Sequence, residues 1–177
     1  LIDKVTRGDL FAVSAKNDLS FIGGGLECIS IPIMKMLDDA EKTLIKAFDP
    51  FFVEIKSIAQ TEQKNVWAVG SPGTILQFDG AEWENLESES KLPSLNCIFF
   101  SDNNNGITVG SNGAILTYSE KVWTRQNSPV TEKLNGAAIS GKNYYAVGDN
   151  GTIVLGEKFP ENTIASSARK RGVEGKR

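Results

Sequence analysis

The chain has 177 residues, 40% of them apolar and 23% charged, which is long enough for one ordinary domain with a sizeable core. It holds no histidine and only two cysteines, so the usual soft zinc or copper sites and any histidine-dependent catalytic triad are excluded. No stretch is long and apolar enough to predict a transmembrane helix. The sequence opens at Leu1 without a charged-then-apolar leader, which implies a removed leader or a piece of something longer.

In chain order, residues 20–29 form a mainly apolar run around Gly23-Gly24-Gly25. Residues 33–48 carry two patterns. Met34, Leu37, Glu41, Leu44, Ile45 and Phe48 have partial helical spacing. Asp38-Asp39-Ala40-Glu41, however, matches Asp79-Gly80-Ala81-Glu82 and so predicts a turn and a strand over 43–48, with a short inserted helix as the alternative. Strand-like runs follow at 53–59, 95–100 and 134–139, and outer runs at 82–86 and 121–125 contain Trp83 and Trp123. Cys28 and Cys97 lie inside apolar stretches, which predicts buried free thiols rather than a disulfide.

Between these runs one pattern recurs. Val66-Trp67-Ala68-Val69-Gly70-Ser71-Pro72-Gly73-Thr74-Ile75-Leu76 superposes without gaps on residues 106–116 and 144–154. A weaker copy places Ile22 opposite Val69 and Gly23-Gly24-Gly25 at the turn, with extra residues between Ile31 and Leu37 making up the longer step. Asn112-Gly113 and Asn150-Gly151 suit the two positive-φ positions of a type I′ hairpin turn, and Pro72-Gly73 suits a type II turn. The repeat-turn residues are therefore Gly70, Gly73, Gly110, Gly113, Gly148 and Gly151. Val66, Trp67, Ala68 and Val69 leave no polar face, as a sheet covered on both sides requires.

Four short strands per repeat predict an all-β fold, a partial β-propeller of about four four-stranded antiparallel blades with a repeat of 38–47 residues. The divisions are 1–50, a degenerate blade with a helical insertion as an option; 51–92, a blade; 93–131, a blade; 132–157, an incomplete blade lacking an outer Trp strand; and 158–177, a flexible basic tail. From Ser166 onward the tail holds Arg169, Lys170, Arg171, Lys176 and Arg177 against Glu174, a net of +4, so the remainder carries about −7. An acidic body argues against nucleic acid as the main partner. Closed rings take roughly four to eight blades, so open blade faces and self-association are expected of this chain.

Trp67-Ala68-Val69-Gly70 through Gly73-Thr74-Ile75-Leu76, followed by Phe78-Asp79-Gly80 and Trp83, resembles the repeats of the photosystem II assembly/stability factor family and the wider bacterial-neuraminidase-repeat (Asp-box) propellers. The resemblance covers residues 53–157 well and 10–50 poorly. It implies a non-enzymatic binding or assembly module without cofactor or metal. The module would present loops to a protein partner in an extracytoplasmic setting (periplasm, thylakoid lumen or cell surface). The alternative is a fragment of a secreted sialidase-like glycan-binding or hydrolase protein. Such chemistry needs paired carboxylates and an arginine cluster, and before the tail only Arg7 and Arg125 occur.

Other motifs have structural explanations. Gly23-Gly24-Gly25 lacks the Lys-Ser/Thr of a phosphate loop, and Asn150-Gly151-Thr152, a glycosylation match, sits in a hairpin turn. Asp102-Asn103-Asn104-Asn105-Gly106 lacks the closing Glu of a calcium loop and reads as a polar turn. Asp38-Asp39 reads as a solvated turn.

Overall fold

The same four-strand meander is built four times. The computed structural model describes residues 9–16, 19–25, 33–36, 45–46, 54–61, 65–80, 83–86, 92–157 and 167–168. The first sheet holds β1 (Asp9–Lys16), β2 (Leu19–Gly25), β3 (Ile33–Met36) and β4 (Ile45–Lys46). The second holds β5 (Glu54–Gln60), β6 (Val66–Ser71), β7 (Thr74–Phe78) and β8 (Trp83–Asn85). The third holds β9 (Leu95–Asp102), β10 (Asn105–Gly110), β11 (Ile115–Ser119) and β12 (Val122–Arg125). The fourth holds β13 (Leu134–Ser140), β14 (Asn143–Gly148), β15 (Ile153–Glu157) and β16 (Ser167–Ala168). All pairs are antiparallel neighbours in sequence, which is the blade architecture of a β-propeller.

The chain divides into two units, Leu1–Ser94 with the first two sheets and Leu95–Arg177 with the last two. In the first unit Phe21 of β2 packs into Ile55, Ile58, Val66, Ala68, Leu76 and Phe78 of the second sheet, with Ala12 and Trp83 at the margin. In the second unit Ile107, Val109 and Ile115 of the third sheet pack against Leu134, Tyr144, Ala146 and Val154 of the fourth. Within each unit, one sheet therefore lays a face on its neighbour. The hairpin's first strand is buried on both sides in β6 and β10, as their unbroken apolar and small residues require.

A β-bulge recurs at one place in every first strand. It lies between Leu10 and Ala12, Ile55 and Ser57, Leu95 and Cys97, and Leu134 and Gly136, with Gly24, Gly70, Gly110 and Gly148 opposite the leading Leu or Ile. This register corrects the weak first copy: Gly24, not Gly23, takes the place of Gly70. Gly23-Gly24-Gly25 is the end of β2 rather than a tight turn. The returning strand is Ile33–Met36, so the extra residues of this repeat precede Ile33. A period-2 strand slipped by one residue exchanges its faces, and a glycine triplet gives the sequence no side chain to fix that slip.

Strand structure at Ile33–Met36 and Ile45–Lys46 replaces the helical option at those positions; Asp38-Asp39 and Cys28 lie outside the described residues. Cys97 is half-buried in β9, short of the full burial expected for it. The fourth sheet acquires an outer strand from Ser167–Ala168, paired with Val154 and Leu155, inside the segment read as a tail. Too few apolar residues surround that strand to mark it in the sequence.

Candidate functional site

An antiparallel meander sends its second-to-third turn and its link to the next sheet to one end, and its other two turns to the opposite end. At the first end the turns of the third and fourth sheets are closed by backbone hydrogen bonds. Ser111–Ala114 closes with an Ala114 N–H donated to the Ser111 carbonyl at 3.1 Å, and Asn112 and Gly113 have φ of 55° and 65°. Asp149–Thr152 repeats this, with a 3.1 Å bond and φ of 56° and 69° at Asn150 and Gly151. These are the left-handed positions of a type I′ turn, which Asn and Gly accept at least cost. The third turn departs from the type II expectation, because its Ser71–Pro72 peptide is cis and Gly73 has φ of 41°.

The preceding glycines serve close packing. A Cβ at Gly70 would overlap the Glu54 carbonyl, and one at Gly148 the Lys133 carbonyl. Gly110 and Gly148 donate across the turn to Ala114 and Thr152 at 3.0 and 2.9 Å. Among the six repeat glycines, Gly73, Gly113 and Gly151 hold positive φ, and Gly70, Gly110 and Gly148 precede the turns.

Inter-sheet links lock onto these turns. Gly113 N–H donates to the Glu132 carbonyl at 3.0 Å, and Asp149 N–H donates to the Lys133 carbonyl at 2.9 Å. The hydroxyls of Ser71 and Ser94 lie 2.8 Å apart in the first unit. In the second unit the frame leaves Asn112, Thr131, Lys133, Asn135, Asp149 and Asn150 exposed, a row of amide, hydroxyl and charged groups on fixed backbone. Asn135 Nδ2 donates to Asp149 Oδ1 at 2.7 Å, while its counterpart Asn96 donates to the Leu134 carbonyl at 2.9 Å. The sequence reading missed these asparagines. The repeated Leu-Asn at 95–96 and 134–135 was the available signal.

The opposite end is a set of exposed polar turns. Asp102 accepts from Asn104 N–H at 2.8 Å and from Asn105 Nδ2 at 2.7 and 2.6 Å, so its carboxylate folds the β9–β10 turn. Gly141 and Lys142 form the next such turn. Among the described residues no three His, Cys, Asp or Glu side chains gather as metal ligands. Arg125 is exposed at the end of β12, and Arg7 lies outside the described residues, so the two are not brought together in any described site.

Four-stranded antiparallel sheets of one repeat, laid face to face, define the chain as a β-propeller-type repeat protein. Its fold is similar to that of part of YCF48. The structure of YCF48 bound to D1 peptide matches with a TM-score of 0.65 at 20% identity, covering 94% of this chain and 55% of that one. YCF48 from Cyanidioschyzon merolae matches with a TM-score of 0.63 at 15% identity, covering 97% and 59% respectively. The chain thus spans little more than half the length of either. The computationally designed Ika4 protein matches with a TM-score of 0.67 at 13% identity, covering 86% of this chain and 92% of that protein. No family model and no curated protein matches the sequence.

Proposed function

We propose that the chain is a non-enzymatic binding and assembly module. It holds an extended segment of a protein partner along the turn-and-link end of its third and fourth sheets. The observation that carries this reading is the likeness in fold, over 94% of the chain, to YCF48 bound to D1 peptide. The row from Asn112 to Asn150 suits the task physically. Amide and hydroxyl side chains both donate and accept, as the backbone of an extended peptide demands. Turns already fixed by hydrogen bonds lose little entropy when a ligand is bound. An extracytoplasmic setting, the periplasm, thylakoid lumen or cell surface, belongs to the same proposal through the resemblance of the repeats.

The test is fluorescence anisotropy with a labelled D1 peptide. Thr131→Ala with Lys133→Ala should weaken binding by about tenfold, the worth of one to two hydrogen bonds at about 1 kcal/mol each. Asn104→Ala and Lys142→Ala, at the opposite end, should leave affinity unchanged. A peptide that does not bind, or a loss shared equally by both ends, would overturn the reading.

A further inference from the structure

The third and fourth sheets show what one sheet needs from the next. Ile107, Val109 and Ile115 are covered by Leu134, Tyr144, Ala146 and Val154. Asn96, in the bulge of β9, donates to the Leu134 carbonyl. The turn glycine Gly113 sits against the Val130 carbonyl and bonds to that of Glu132.

On the fourth sheet the counterparts of all three features are open. Tyr145, Val147 and Ile153 stand where Ile107, Val109 and Ile115 stand, yet they are 38%, 48% and 46% exposed, with Leu155 beside them at 40%. Asn135, the counterpart of Asn96, is exposed and bonds within its own sheet. Gly151 has no described atom within 4 Å of its would-be Cβ. The first sheet carries the matching half. By bulge register Leu10 occupies the place of Leu134, and Val13 that of Ala137, which packs at the margin of the covered interface. Val13 is 70% exposed and Phe11 51% exposed.

We infer that the first sheet of a second copy of this chain covers the Tyr145–Leu155 face. Val13 of that copy lies against Val147, and its Leu10 carbonyl accepts from Asn135. The interface continues the one already formed between the third and fourth sheets, residue for residue. It is heterologous, since different faces meet, so each copy offers one face and takes up the other.

The experiment is multi-angle light scattering of the 177-residue chain and of Val13→Asp and Val147→Asp, each checked for native strand content by circular dichroism. Both substitutions fall on exposed positions, so folding should survive. The inference expects the wild type at two or more chain masses and each variant alone at one chain mass. An equimolar mixture of the variants should return to two, because each supplies the face that the other has lost. A wild type that stays at one chain mass would overturn the inference, as would variants that keep the wild-type mass or a mixture that remains monomeric.

Discussion

Two glycines at equivalent places separate conformational need from packing need. Gly113 and Gly151 both hold left-handed backbone, at φ of 65° and 69°. A methyl on Gly113 would also meet the Val130 carbonyl, whereas the corresponding space at Gly151 is open. Gly151→Ala should therefore cost only the left-handed penalty, about 1 kcal/mol. Gly113→Ala should cost about 1–3 kcal/mol more, because a backbone carbonyl and its link must shift. Urea unfolding of the two variants measures the difference, and equal losses would mean that the link is not packed on the turn. The Asn-Gly pairs made the turns readable from sequence. The carbonyl over Gly113 was not readable, because it belongs to residues whose side chains carry no signal for that contact.

At the scale of the sheet, aromatic rings fill the end of each hairpin in two ways. In the second sheet Phe78 and Trp83 meet Phe21 of the first sheet with ring centroids 5.2–6.0 Å apart, and in the third Tyr118 and Trp123 meet Phe100 of their own sheet at 5.1–5.9 Å. The fourth sheet exchanges the partners. Gly106 faces Tyr118 across the third sheet, while Tyr144 faces Gly156 across the fourth, so the ring moves from the returning strand to the first strand of the hairpin. A Cβ at Gly106 would strike the Phe100 ring, and one at Gly156 the Tyr144 ring.

Burial has a consequence for pH. It raises the pKa of both Tyr118 and Tyr144 above the ordinary 10.0, because the uncharged phenol is preferred away from water. The unfolded chain then releases these protons first. Stability is fully present below pH 10 and falls as pH rises above it through the folded-state values. Urea midpoints measured on either side of pH 10 should show this decline, and Tyr118→Phe or Tyr144→Phe should flatten it. A wild-type midpoint insensitive to alkaline pH would contradict the buried placement.

Legibility also varied by element. The hairpins at 66–76, 106–116 and 144–154 were readable because apolar runs flank glycine at fixed spacing. The first repeat misled by one residue, since Gly23-Gly24-Gly25 offers three equivalent choices and only the Leu10 bulge fixes the pairing. Ser167–Ala168 was hidden because a two-residue outer strand needs no periodicity of its own.

At the scale of the molecule, the alternation of buried and exposed residues in β14 and β15 sets the fourth sheet apart from the fully buried hairpins of the second and third. Tyr145, Val147 and Ile153 are apolar like their covered counterparts, so the expectation of open blade faces could not be placed on a particular sheet from the sequence alone. The structure places the exposed apolar face on the fourth sheet. The ends of the sheets differ in a separate way: one is framed by turns and links, the other by independent polar turns. The proposed binding lies at the framed end.

Amide hydrogen exchange of the whole chain, with and without the D1 peptide, tests that assignment most directly. The account predicts protected amides throughout β6, β7, β10 and β11 in the free chain. On adding peptide, it predicts further slowing confined to 111–114, 130–135 and 149–152. Slowing centred on 102–105 and 141–142, or no change at any amide, would contradict it.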